Sequence, residues 1–244
     1  MSGDNIISFQ TNRLLHYLIV WLMFFWLVMA FNPLNRQDWM LENIMVIAYV
    51  VVLVVSYHRF QFSNTSYLLF TLFMSLHLVG AHYTYAETPL GYWMQDWFGL
   101  QRNHYDRLIH FSFGMLLAYP IRELLIRAAK IKISWSYTNT VLIILSMGAV
   151  FEIFEMWAAM LVSPELGDAY LGTQGDVWDA QQDMLLATLG AICTMAITHL
   201  LEGKSGPDRH GRSPETPRPP WPQRSSWYWR GCHRQSPRHL SPRG

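Results

Sequence analysis

The amino-acid sequence predicts an all-α fold, a polytopic membrane helical bundle with six transmembrane helices. The chain of 244 residues is 51% hydrophobic and 14% charged, whereas soluble domains carry about 25% charged residues. Six apolar runs approach the roughly 20 residues that an α-helix needs to cross a bilayer. Backbone groups in lipid must find hydrogen-bond partners within their own segment, so runs of this length predict helices. The six runs cover residues 14–31, 41–57, 66–85, 108–126, 138–162 and 184–201.

Polar or helix-breaking residues delimit each run in turn. The first run, which we interpret as a signal anchor, is followed by "NPLNRQDW" rather than by a small-residue cleavage site. His58 and Arg59 end the second run, and the aromatic segment "YTYAETPLGYWMQDWFG" at the end of the third is typical of an interfacial belt. The fourth run follows "RNHYDR", the fifth follows the basic segment "KIK", and the sixth follows Asp183.

Basic residues in the connections predict the orientation of the bundle. The link between the fourth and fifth runs carries Arg122, Arg127, Lys130 and Lys132, and short links rich in Lys and Arg stay on the cytoplasmic side of a membrane. This assignment places both termini in the cytoplasm. It places the long connections after the third and fifth runs on the opposite, periplasmic side.

The charge distribution divides the chain into a six-span transmembrane domain, residues 1–202, and a tail, residues 203–244. The first segment carries 9 basic and 15 acidic residues, and the tail carries 9 basic and 2 acidic residues with eight of the twelve prolines. This Pro/Arg-rich composition predicts a disordered tail. Because the tail lacks any periodicity, we interpret it as a non-native or out-of-frame terminus and assign it no function.

Missing signatures exclude several classes of site. The two cysteines, Cys193 and Cys232, support neither a disulfide framework nor a cysteine zinc site. The chain has no phosphate-binding glycine loop, no Gly-x-Ser-x-Gly elbow, no His-Glu-x-x-His motif and no dinucleotide fingerprint. We expect the lipid bilayer as its surroundings and no nucleic acid as a partner, and the sequence identifies no protein partner.

Ionisable residues concentrate at the outer ends of the runs, where we predict one catalytic pocket open to the periplasm. Asp106 and His110 are four residues apart and share a helix face, so the carboxylate holds the imidazole in one tautomer. A charged carboxylate within a membrane span is costly unless it is paired or metal-bound, and convergence lets one cation compensate several carboxylates. The seven candidate catalytic residues are Asp106, His110, Glu152, Glu155, Asp176, Asp179 and Asp183.

The same residues predict a divalent metal ion as cofactor, because carboxylate and imidazole ligands together suit a transition metal better than calcium. The candidate ligands are His110, Glu152, Glu155, Asp179 and Asp183. We expect three further side chains to line the same cavity, behind the ligands or as counter-charges. These are His77, His82 and Arg107.

Simpler structural roles are alternatives for several of these residues. Asp183 stands at the start of a predicted helix, where the helix dipole stabilises a negative charge. Asp106 and His110 are alternatively a structural link that closes a polar loop over the bundle. Arg102 and Arg107 are alternatively counter-ions for the glutamates, in a buried ion-pair network that performs no chemistry.

Four motifs resemble those of the YjdF-like family of uncharacterised bacterial inner-membrane proteins. They are "HLVGAHYTYAETP", "RNHYDRLIHFSFGMLL", "EIFEMW" and "GDAYLGTQGDVWDAQQDM", and the resemblance covers residues 10–202. It implies six helices in a bacterial inner membrane and leaves the function open. More remotely, the sequence is similar to VanZ-like membrane proteins in three pairs of residues. It departs from that pattern in having Glu155 where glutamine is expected and Ala187 where asparagine is expected. The pairs are Asp106 and His110, Glu152 and Glu155, and Asp183 and Gly190.

Three functions are compatible with this pattern. The first is a membrane-embedded enzyme that acts on a lipid-linked or envelope substrate from the periplasmic side. The second is a non-catalytic membrane scaffold or partner-binding subunit whose acidic outer connection recognises a cationic partner. The third is an ion or proton transporter. Against a transporter, the ionisable residues concentrate in the outer half of the membrane, without a comparable group in the inner half.

Overall fold

The computed structural model describes residues 9–204, which form an all-helical fold. A short 3-10 helix, Phe9–Thr11, precedes eight α-helices in this part of the chain. The α-helices are α1 Arg13–Ala30, α2 Arg36–Tyr57, α3 Asn64–His82, α4 Pro89–Phe98, α5 Tyr105–Arg127, α6 Ile133–Leu161, α7 Pro164–Leu171 and α8 Asp179–Lys204. The predicted tail, from residue 205 onward, lies outside the described residues, as does the stretch before Phe9.

Five of these helices, α1, α2, α5, α6 and α8, are long and apolar enough to cross a membrane. The remaining predicted span corresponds to α3, which does not belong to this group. Polar side chains along α3, among them Thr71, Ser75 and His77, lower its mean hydropathy. α3 packs against α1, α2 and α5 and buries about half of its residues, so its polarity accords with an interior position. The described chain is therefore an all-helical bundle with five candidate spans.

Three of the candidate spans begin five residues before the apolar runs that predicted them. α2 begins at Arg36 because the side chain of Asn35 caps it, accepting hydrogen bonds from the backbone N–H groups of Gln37 (3.0 Å) and Asp38 (3.2 Å). α6 and α8 likewise begin five residues before the runs that start at positions 138 and 184. The added turns of α2 and α8 are polar, and they bring Asp38 into α2 and Asp179 into α8.

The two long connections contain short helices that the apolar pattern did not predict. α4 follows Thr88 and α7 follows Ser163, and each hydroxyl accepts a hydrogen bond from a backbone N–H group in the first turn, which starts with proline. Gly99 and Gly172 end these helices in the left-handed conformation, with φ of 64° and 60°. Local capping therefore orders both connections.

α5 is the central helix, since it packs against α3, α6 and α8. Gly114 of α5 lies so close to α8 that an added Cβ would overlap the backbone carbonyl of Ala187. A Cβ at Gly190 of α8 would in turn overlap the carbonyl of Phe111. Small residues at a membrane helix interface allow backbones to approach this closely. The contact fixes the register of α8 against α5, and thereby which side chains of the two helices meet.

The start of α8, at Asp179, marks what we term the acidic end of the bundle, and a second polar cluster lies at the opposite end. There the carboxylate of Glu123 accepts hydrogen bonds from the N–H (2.8 Å) and Oγ (2.9 Å) of Ser63. Arg122 donates two hydrogen bonds of 2.9 Å to Glu202. Glu123 and Arg122 are each 1% exposed. This cluster corrects the expectation that ionisable groups concentrate in one half of the bundle.

Candidate functional site

Two arginines bind the aspartates at the acidic end. Nη2 of Arg107 donates hydrogen bonds to Asp179 (2.6 Å) and Asp176 (2.9 Å), and Nη1 of Arg102 donates to Asp179 (2.7 Å). Nε of Arg107 lies 3.2 Å from Oδ1 of Asp183, as an ion pair without hydrogen-bond geometry. The aspartates thus have cationic partners from the start of α5 and the segment before it. The arginines thus form an ion-pair network, but with aspartates and not with the glutamates that the counter-ion alternative had assigned to Arg102 and Arg107.

Polar contacts also fasten together the connections that precede α5 and α8. Arg102 donates hydrogen bonds to the backbone carbonyls of Thr173 (2.8 Å) and Gly172 (3.1 Å). The N–H of Asn103 donates to Oε1 of Gln174 (3.0 Å), and Nε2 of Gln174 donates back to the carbonyl of Asn103 (2.9 Å). Both connections are therefore held as one unit over the starts of the two helices.

Asp176 precedes α8 and is stabilised in its charged form. The backbone N–H of Trp178 donates a 3.0 Å hydrogen bond to Oδ1, and Arg107 donates to Oδ2. Both contacts favour the carboxylate over the carboxylic acid, so the pKa of Asp176 lies below its ordinary value of 3.8. Asp176 is thus a fixed negative charge of the ion-pair network.

Asp106, His110 and Asp183 form a compact group, in which one potential metal-ligand atom from each residue lies within 4.8 Å of the others. Nε2 of His110 lies 3.6 Å from Oδ1 of Asp106 and 3.6 Å from Oε1 of Glu152. These separations are too long for hydrogen bonds. They suit two ligands of one metal ion, since each ligand atom lies about 2.0–2.2 Å from a zinc ion. α5 supplies Asp106 and His110, α8 supplies Asp183, and Glu152 of α6 lies beside this group.

Two carboxylate oxygens, Oδ1 of Asp183 in this group and Oε1 of the neighbouring Glu152, are buried without a hydrogen-bond partner among the described residues. A buried carboxylate is costly unless a cation or hydrogen bonds compensate its charge. A cation bound beside His110 would supply that compensation.

An acidic pair in α2, Asp38 and Glu42, was missed by the reasoning from sequence. The two residues are 1% and 2% exposed, and in the described structure both oxygens of Asp38 and Oε2 of Glu42 have no hydrogen-bond partner. Oε2 of Glu42 lies 3.9 Å from Nε2 of His77, whose Nδ1 lies 2.5 Å from the hydroxyl of Tyr85. Asp38 and Glu42 are four residues apart, as are Asp106 and His110, so the same spacing could have identified them in the sequence.

An elongated cavity of about 420 Å³ lies among α2, α3, α5, α6 and α7. Its polar end carries five ionisable side chains, and no lysine or arginine of the described chain lines it. The five are Glu42, His77, Asp106, His110 and Glu155. Aliphatic and aromatic side chains form most of the remaining wall. The cavity therefore joins an acidic end to a hydrocarbon-lined interior.

The structure divides the seven predicted catalytic residues into three sets. Asp106, His110 and Glu155 line the cavity. Glu152 and Asp183 lie close to His110 but outside the cavity wall. Asp176 and Asp179 are bound by arginines. Of the further side chains, His77 lines the cavity and Arg107 lies behind it. His82 lies elsewhere, with Nδ1 2.9 Å from the carbonyl oxygen of Met29, contrary to the expectation that it lines the cavity.

The chain matches the family described as "Predicted membrane protein (DUF2238)" over residues 14–204. It is 36% identical over 173 residues to "Inner membrane protein YjdF" of Escherichia coli (strain K12), an alignment that covers 69% of this chain and 82% of that protein. No solved structure is significantly similar to it. The resemblance to YjdF-like inner-membrane proteins is thus confirmed. The chain belongs to the DUF2238 family of predicted membrane proteins and is a multi-pass protein of the inner membrane.

Proposed function

We propose that this protein is a membrane-embedded enzyme that acts from the periplasmic side on a lipid-linked substrate of the cell envelope. The observation that carries the proposal is the compact group of Asp106, His110 and Asp183 beside the polar end of the elongated cavity. An imidazole and two carboxylates suit a divalent transition metal ion. The adjoining apolar cavity has the character of a site for a small molecule or a lipid chain.

The proposed topology has six spans with both termini in the cytoplasm. The 19 residues of α3 extend about 28 Å at 1.5 Å per residue, close to the ~30 Å thickness of the hydrocarbon core. Its packing against α1, α2 and α5 shields polar side chains from lipid. Arg127, Lys130 and Lys132 follow at the end of α5, which favours a cytoplasmic position for that end. The acidic end then faces the periplasm.

The proposed metal ligands differ in part from those that the sequence suggested. Asp179 is bound by two arginines and is therefore a poor candidate. Asp106 takes its place beside His110. Glu152 and Asp183 each offer an oxygen without a hydrogen bond, that of Asp183 lying 3.2 Å from Nε of Arg107. A divalent cation held there would act as a Lewis acid and lower the pKa of a bound water.

Glu155 is the proposed proton-transfer group. It lines the cavity one helical turn from Glu152, on the side where a substrate would lie. A carboxyl group in this position can take a proton from a bound substrate or donate one to it. The roles are thus divided, with His110 and its neighbouring carboxylates holding the cation and Glu155 facing the substrate.

Metal content and turnover of the purified protein test this proposal. The wild-type protein, His110→Ala and the control His58→Ala, an exposed histidine at the opposite end, are stripped with a chelator and reloaded with zinc or manganese. We expect stoichiometric metal in the wild type and the control, and little in His110→Ala. The reloaded proteins are then screened against lipid extracts of the cell envelope. Equal metal content in all three proteins, with no turnover in any, would contradict the proposal.

The two other functions have less support from the geometry. A scaffold that recognises a cationic partner needs free negative charge. Arg102 and Arg107 already neutralise Asp176 and Asp179, which leaves Glu165 and Asp168 as the exposed acids of that connection. A transporter needs a polar path between the acidic end and the opposite cluster. The cavity wall between them is almost entirely apolar.

A further inference from the structure

We propose that the elongated cavity takes the hydrocarbon chain of a single-chain membrane amphiphile whose head carries an amine. The chain enters sideways from the bilayer, and the amine lies at the polar end against Glu42 and Glu155. This inference deepens the proposed function, on which it rests for identifying the amphiphile as the substrate class. Binding itself does not require catalysis.

The mouth of the cavity lies on the side of the bundle. Three residues that line the cavity are also exposed, Val52 by 63%, Met147 by 42% and Leu124 by 40%. Leu117 and Met74, deeper in the wall, are only 4% and 3% exposed. The three exposed residues belong to α2, α6 and α5, each a candidate span. Their surroundings are therefore lipid, so the mouth admits hydrocarbon rather than water.

The cavity has the dimensions of one hydrocarbon chain. Glu42 at the polar end and Ser56 near the other end both line it, and along α2 they are about 21 Å apart at 1.5 Å per residue. This length exceeds the thickness of the hydrocarbon layer of one leaflet, which is about half of a ~30 Å core. The volume of about 420 Å³ is in the lower part of the range of small-molecule sites, ~300–1,000 Å³. One long chain fits this shape better than several.

The polar end selects the head group by charge. Glu42 and Glu155 present two carboxylates to the cavity beside Asp106 of the proposed metal centre, without a lysine or arginine among its described lining residues. Arg102 and Arg107 are engaged by the aspartates near the start of α8. An ammonium group compensates buried carboxylates and donates charge-assisted hydrogen bonds to them. A phosphate or carboxylate head would instead place like charges together.

Glu42 is the carboxylate whose surroundings best support binding of an amine. It is 2% exposed and lines the cavity, and its Oε2 has no hydrogen-bond donor within the described structure. Nε2 of the nearest imidazole, His77, lies 3.9 Å from this oxygen, beyond hydrogen-bond distance, and 3.4 Å from the backbone carbonyl oxygen of Glu42. A buried acceptor without a donor favours a ligand that brings one, and an alkylammonium head brings three.

Binding of three probes to the purified protein in non-ionic detergent tests the proposal. The probes are hexadecylamine, hexadecanol and palmitate, which share a hydrocarbon chain and differ in the charge of the head. We expect hexadecylamine to bind at least about tenfold more tightly than hexadecanol, as one charge-assisted hydrogen bond allows. Palmitate should bind more weakly than both. Equal affinities for hexadecylamine and hexadecanol overturn the proposal.

Two pairs of variants locate the head and the mouth. Glu42→Gln should lose the preference for the amine, whereas Glu165→Gln, an exposed glutamate of α7, should keep it. Met147→Trp should weaken the binding of all three probes. Leu145→Trp, also exposed on α6 but outside the cavity, should not. Because both tryptophans replace exposed residues, this pair tests the mouth even where Glu42→Gln fails to fold. Binding unchanged by Met147→Trp overturns lateral entry.

Failure of this inference can be distinguished from failure of the proposed function. An amine preference in a protein that holds no metal and turns over no lipid supports the cavity inference and contradicts the enzyme. Bound metal without an amine preference supports the metal centre and contradicts this substrate class.

Discussion

Nη2 of Arg107 lies 2.6 Å from Oδ1 of Asp179 and joins the start of α5 to the start of α8. The same guanidinium group also reaches Asp176 and Asp183. Three carboxylates of the acidic end thus contact one arginine that is 9% exposed.

Arg107→Gln should lower the free energy of unfolding by about 3 kcal/mol, because removing one partner of a buried ion pair leaves the other charge uncompensated. Arg59→Gln, at an exposed position between α2 and α3, is the control and should change stability by less than about 0.5 kcal/mol. Unfolding in mixed micelles with increasing SDS measures both. Equal stability of the two variants would mean that the ion pairs contribute nothing.

Gly114→Ala should destabilise the bundle by at least about 1–3 kcal/mol, the usual cost of overpacking a filled interior. The added methyl group would overlap the backbone of α8 at Ala187, which no side-chain rotation can relieve. Gly148→Ala is the matched control, because a Cβ there has its nearest neighbours at 3.9 Å. Thermal unfolding in detergent compares them. A melting temperature of Gly114→Ala at or above that of the control would show that α5 and α8 are not in this contact.

Protonation of Asp176 in acid should weaken the contacts that hold the connection before α8. The pKa of this group is depressed below 3.8 in the folded protein, so its charge stabilises the fold above about pH 3.8. The contribution is lost as the pH falls through the lower folded-state pKa. Hydrogen exchange in residues 172–178 should therefore differ between wild type and Asp176→Asn at neutral pH, and this difference should vanish in strong acid. Asp168→Asn, at an exposed position in α7, is the control and should leave exchange in residues 172–178 unchanged. A difference for Asp176→Asn that persists at every pH would refute the charge-based explanation.

The proposed topology makes the position of Gly203 decisive. A reporter fused there should be active only in the form that works in the cytoplasm, because the basic residues after α5 and the end of α8 lie on the same side in a six-span bundle. A second fusion after Gly99, in the connection before α5, should be active only in the periplasmic form. A periplasmic signal from the Gly203 fusion would reverse the orientation, and equal signals from both fusions would exclude six spans.

The apolar runs predicted the helices of the bundle but not where they begin. Hydropathy detects only the lipid-soluble part of a helix, whereas α2 and α8 start in polar turns. Asp38 was missed for this reason, because it lies in the capped first turn of α2, before the apolar run. Glu42 lies within that run, where the cost of a carboxylate in a membrane span and its spacing of four residues from Asp38 could have singled it out.

The candidate site was predictable only within single helices. The spacing of Asp106 and His110 placed both on one face, and in the structure they lie 3.6 Å apart. Which aspartates Arg107 binds depends on how two connections pack, and local spacing carries no information on that. Asp179 was therefore expected to bind a metal ion, although its carboxylate is engaged by arginines.

The close approach of α5 and α8 at Gly114 and Gly190 constrains the length of α8 as well as its composition. Gly190 follows Asp183 by seven residues, almost two helical turns, so both lie on the stripe of α8 that faces α5. One residue inserted between them would rotate Asp183 by about 100° around the helix, away from His110. An insertion here would thus dismantle the group of ligands while every side chain in it remained the same.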